Sequence, residues 1–87
     1  MANYRLVFKR SVAKDLRVLP KADVAAILQR IEALAGDPRP PGCEKLSAQE
    51  RYRVRQGVYR ILYEIEDQEL VVTVVKVGHR REVYRAN

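Results

Sequence analysis

The sequence predicts an α+β fold: two N-terminal helices pack on an antiparallel sheet made of an N-terminal strand and a C-terminal three-stranded meander. Three observations predict it. The apolar period is two over Asn3 to Lys9, becomes helical from Ser11 to Gly36, and returns to two from Arg51 onward. A proline-rich connector, DPRPPG, separates the helical part from the strands. The chain of 87 residues is 47% hydrophobic, which suffices for one core and no second, so residues 1–87 form a single domain.

Each element follows from its own pattern. In Asn3 to Lys9, Tyr4, Leu6 and Phe8 alternate with Arg5, Val7 and Lys9, which puts one set on a core face. Ser11 is placed to cap a first short helix whose stripe is Val12, Leu16 and Leu19, and Pro20 blocks its continuation. In the second helix Val24, Ile27, Leu28, Ile31, Leu34 and Ala35 keep the helical period, and Gly36 supplies the stop. Asp37 to Gly42 contains three prolines and reads as a stiff connector. Then come RYRVRQ, VYRILYEI and LVVTVVKV, with turns near Gln56–Gly57 and in Glu66 to Glu69.

Several function classes are excluded or disfavoured by composition. The longest apolar stretch, Leu70 to Val75, is far short of the ~20 residues of a membrane span. The opening MANYRLVFKR begins a strand pattern rather than an apolar leader, so the chain is expected in the cytoplasm. A single Cys43 and a single His79 cannot build a closed zinc site, and no metal is expected. Cys43 reads as a packed or inert thiol, Ser11 and Ser47 as cap or turn residues.

Charge is more informative. Seventeen Lys and Arg against eleven Asp and Glu give a net +6, which favours a polyanionic partner. Arg51, Arg53 and Arg55 alternate along one strand and share a face. With a two-residue turn, whether Gln56–Gly57 or Gly57–Val58, Arg60 joins that face and Tyr52, Val54, Ile61, Tyr63 and Ile65 form the opposite one, toward Ile27, Leu28 and Ile31. A three-residue turn would bury the arginines against the helices at high cost. The tail VGHRREVYR adds Arg80, Arg81 and Arg85, whereas Glu64 to Glu69 holds four acids and no base. Such segregation, with three like charges on one face, is most easily tolerated when an anion sits between them.

At RYRVRQGVYRILYEI followed by VVKVGHRREVY the chain closely resembles the RelE toxins of toxin–antitoxin pairs, within the RelE/ParE superfamily. The resemblance spans essentially the whole chain and implies the RelE/ParE toxin fold and a ribosome-dependent endoribonuclease that cuts messenger RNA in the A site without a cofactor. It also implies a RelB-like antitoxin that grips the domain. The family's basic catalytic residues map onto Arg53, Arg55, Arg60 and Arg80, and its catalytic tyrosine onto Tyr84. Lys45, Arg51, Lys76, His79, Arg81 and Arg85 are expected to contact RNA. The gyrase-poisoning ParE branch shares the fold and is the alternative; a non-catalytic basic RNA-binding module is a third reading.

The residues suit that chemistry on their own terms. Guanidinium groups can stabilise a phosphorane as fixed donors without a metal. A phenol with an ordinary pKa of ~10 is a poor base at neutral pH, but surrounding arginines favour its phenolate.

Overall fold

The computed structural model describes residues 3–46 and 50–81; Ser47, Tyr84 and Arg85 lie outside the described residues. In chain order the elements are β1 (Arg5–Phe8), α1 (Arg10–Arg17), α2 (Lys21–Ala33), β2 (Glu44–Leu46), β3 (Arg51–Gln56), β4 (Tyr59–Glu66) and β5 (Val71–His79). The strands form one five-stranded sheet in the order β1-β5-β4-β3-β2. No helix among the described residues is long and apolar enough to cross a membrane.

The sheet is mixed, which corrects the expectation of an antiparallel one. β3, β4 and β5 are joined by short turns and must run antiparallel. β1 is joined to β5 by two helices and three strands instead, so no turn dictates its direction, and it pairs parallel, Arg5 with Val71 through Phe8 with Val74. The three-residue β2 was not expected. It pairs antiparallel with β3 just after the proline connector and is too short to show an alternation of its own.

Helix starts also differ from the sequence expectation. Ser11 does not cap α1: Lys9 occupies the cap position and no side chain closes the turn. The Lys9 N–H bonds to the Val74 carbonyl as the last rung of β1, and its own carbonyl accepts from Val12 N–H at 3.0 Å, so strand passes directly into helix. α2 begins after Pro20 and closes with a tight turn in which Leu34 N–H bonds to Ile31 O at 2.9 Å.

The core lies between the helices and one sheet face. Val12, Ile27, Ile31 and Leu34 meet Val54, Ile61, Tyr63, Val72, Val74 and Val77, all essentially inaccessible. Each such side chain contributes about 1.5–3 kcal/mol relative to exposure. Leu28, expected in that core, stays 37% exposed, because Ile27, Ile31 and Leu34 already fill the line that faces the sheet. Tyr63 spans the core and its hydroxyl donates to the Pro38 carbonyl at 2.7 Å, which ties the connector down. Burial pushes the Tyr63 pKa far up, so it stays a neutral donor.

Candidate RNA-binding face

The second face of the sheet is built by register. Gly57, at φ +60°, takes the first position of a two-residue turn, Gly57–Val58, a backbone that suits hairpins and favours glycine. Arg51 therefore stands opposite Glu64, Arg53 opposite Leu62, and Arg55 opposite Arg60. All four arginines point away from the helices, as the sequence argument required. A bulge in β5 leaves both Val75 and Lys76 opposite Leu62, and Leu62, Val75 and Leu46 form a small apolar island on this face.

Two of the arginines are paired with carboxylates. Arg51 Nε lies 3.1 Å from Glu64, and Arg53 is ion-paired with Glu44 of β2. At the turn end, Arg55 and Arg60 face one another. Two guanidinium groups on one face at this position suit the binding of an anion. The Arg30 guanidinium of α2 donates to the Arg55 carbonyl at 3.3 Å and fixes the strand there. A cleft of about 340 Å³ lined by Gly42, Cys43, Glu44 and Arg55 opens beside it.

The tail is brought to the same end. The Arg80 N–H donates to the Val58 carbonyl at 2.8 Å, which docks the residue after β5 onto the hairpin turn that precedes Arg60. Arg80 and Arg81 are both exposed. Arg55, Arg60 and Arg80 thus gather at one end of the sheet, while Glu64 and Glu66 of β4 mark the other, where they line a cleft with Glu50.

Three of the expected RNA contacts are placed differently. Lys45 pairs with Tyr52 in the β2–β3 ladder, which turns it to the helix side of the sheet, and it is ion-paired with Glu50 at 3.0 Å, the interaction that raises its pKa. His79 stands opposite Tyr59, again on the helix side, with the two rings edge-on at 6.4 Å. Its Nδ1 accepts from the Arg81 N–H at 3.1 Å, so it shapes the tail rather than facing the arginines. Lys76 starts on the arginine face, but its Nζ reaches round the free edge of β5 to Asp15 of α1 at 3.0 Å. The other Asp15 oxygen accepts from the Val77 N–H at 3.1 Å.

Sequence reasoning missed the partners. Glu44 sits in a strand too short to be read, and Asp67 was read only as a turn residue. Asp67 accepts both Arg39 nitrogens, at 3.1 and 2.9 Å, and the Tyr4 hydroxyl at 2.7 Å. Arg39 also lies over the Tyr52 ring, 5.2 Å from its centroid. The Arg39 and Tyr4 bonds hold the Asp67 carboxyl down at about 2. On the helix side, the Tyr59 hydroxyl donates to Asp23 at 2.7 Å, which raises its pKa.

Comparison with known proteins agrees with this architecture. Residues 6–84 match the family described as ParE toxin of type II toxin-antitoxin system, parDE. Toxin RelG of Mycobacterium tuberculosis is 30% identical over 84 residues, covering 94% of this chain and 97% of that protein. The RelE of the archaeal RelE–RelB complex from Pyrococcus horikoshii superposes with a TM-score of 0.81 at 30% identity, over 90% of this chain and 96% of that one. Isolated RelE of Escherichia coli gives 0.76 at 28% identity, over 94% and 92%. With a matching sequence over nearly its whole length and the same arrangement of helices and sheet, the chain belongs to the RelE/ParE family of type II toxin–antitoxin toxins.

Proposed function

We propose that this toxin is a ribosome-dependent endoribonuclease that cuts messenger RNA in the A site and so blocks translation in the cytoplasm. The observation that carries the reading is the opposition of Arg55 and Arg60, with Arg80 docked on the turn between them. Such a cluster suits a phosphate whose charge grows in the transition state. In the reaction the 2′-oxygen attacks the adjacent phosphorus and the bond to the 5′-oxygen breaks, leaving a cyclic phosphate and a 5′-oxygen that takes a proton from water to become a hydroxyl. Arg60 and Arg80 hold the phosphate oxygens, and Arg55 and Arg53 hold the backbone. Tyr84 takes the 2′-hydroxyl proton as general base, and no metal takes part. The ribosome supplies the alignment of the messenger, worth several powers of ten in rate.

A RelB-like antitoxin is the proposed partner, since RelE–RelB complexes are among the structural neighbours. The matched family's description as ParE favours a second reading, a gyrase poison on the same fold. Purified toxin is expected to generate new 5′ ends on ribosome-bound messenger and to leave gyrase supercoiling unchanged. Gyrase-linked DNA breaks without RNA cuts would reverse the order, and salt-sensitive RNA binding without either would leave a plain RNA-binding module. Comparing Tyr84→Phe with Tyr84→Ala separates a proton-transfer role, lost in both, from base stacking, which phenylalanine retains.

A further inference from the structure

We infer that α1 carries a second RNA-docking surface, the ridge Arg10, Lys14 and Arg17, which grips phosphates outside the cleavage site. This rests on the RNA-directed reading above. At 3.6 residues per turn these three side chains fall within about 60° of one another, on the side of the helix opposite Val12. Val12 is buried in the core, so the ridge points to solvent, and all three cations are exposed. Lys9, which leads into α1, and Lys21, which opens α2, are exposed as well.

The ridge is unopposed because of where its single acid goes. Asp15 is the only carboxylate between Asn3 and Ala22. It is turned inward, its side chain 13% exposed, and is spent on Lys76 and on the Val77 N–H that the end of β1 leaves uncovered. The described ion pairs include none of the ridge cations.

An RNA strand fits this ridge better than a membrane or a protein does. A membrane-surface helix needs an apolar face to insert, and that of α1, Val12 and Leu16, is committed to the core. A protein interface needs an apolar or aromatic centre, whereas the one strongly exposed apolar residue of this helix, Val18, caps its end beyond Arg17 and not the middle of the ridge. A row of evenly spaced cations matches a row of phosphates, and gives affinity without sequence preference.

The test is binding by the full chain, which needs no cleavage and so stands or falls apart from the nuclease reading. The probes are a labelled single-stranded RNA long enough to reach both surfaces, a trinucleotide, and phosphatidylserine vesicles. In Arg10→Gln/Lys14→Gln/Arg17→Gln, the plot of log affinity against log salt for the long RNA should become shallower by about 2, so that between 50 and 200 mM salt the wild type loses about fifteenfold more affinity than the variant. Each single substitution should take about a third of that, which keeps the test open if the triple variant folds poorly. Trinucleotide binding should not change. An unchanged slope for the long RNA overturns the inference. So does a variant that loses vesicle binding while keeping its RNA slope, which would make the ridge a lipid surface.

Discussion

Arg55 and Arg60 stand directly opposite each other across the Gly57–Val58 turn, two guanidinium-bearing side chains on one face of the sheet with the Arg80 backbone bonded to the same turn. A fold under no other demand would place a carboxylate in one of those positions, as it does where Arg51 meets Glu64. A phosphate bound between the two side chains would meet positive charge from both strands.

Glu44 sets how much of Arg53 is available to that phosphate. Glu44→Gln removes the competing negative charge from the ion pair, so RNA affinity should rise and the salt slope should steepen by about 0.7, the share of one phosphate contact on a single strand. A filter-binding titration across salt concentrations measures it. An unchanged slope would show that Arg53 does not reach the RNA.

Asp67 gives the fold a specific acid response. Its carboxyl drops from the ordinary 3.8 to about 2 because Arg39 and Tyr4 hold the ionised form. A depressed folded pKa means stability that is fully present above 3.8 and lost as pH falls toward 2. Thermal midpoints followed into that range should fall more steeply for wild type than for Asp67→Asn. Parallel curves would show that the Arg39–Asp67–Tyr4 contact contributes nothing to folding.

The arginine face was legible from the sequence because one physical rule decides it: any turn of odd length would have buried Arg51, Arg53, Arg55 or Arg60 against the helices. The sides taken by Lys45 and His79 were not legible. Lys45 depends on the register of β2, a strand of three residues, and His79 on how far the β4–β5 ladder persists past its bulge. The parallel β1 escaped for a different reason, since strand alternation reports burial and carries no information about direction. The inward turn of Asp15 is a tertiary event at the edge of β5, and nothing in the α1 period announces it.

His79 is expected to act by shaping the tail. Asparagine can present an acceptor close to the Nδ1 position, so His79→Asn should retain the bond to the Arg81 N–H and near wild-type cleavage, while His79→Ala loses roughly fivefold, the scale of one ordinary hydrogen bond. Single-turnover rates decide it. An inactive His79→Asn would point to proton transfer by the imidazole instead.

Tyr63→Phe isolates the tie between core and connector. It leaves the Pro38 carbonyl without its donor inside the protein and should cost about 1 kcal/mol in urea unfolding, with the slope against urea unchanged. No loss of stability would mean that water replaces the hydroxyl.

The most direct measurement is single-turnover cleavage of messenger RNA on programmed ribosomes by wild type, Arg60→Ala and Arg80→Ala, with all three proteins shown to fold. Cutting by wild type is predicted to occur within the A-site codon and to slow by roughly two to three powers of ten in each variant, the loss expected for one preorganised donor to the phosphate. Wild-type rates in both variants, or no cutting by the wild type itself, would contradict a nuclease site built on the Arg55–Arg60 end of the sheet.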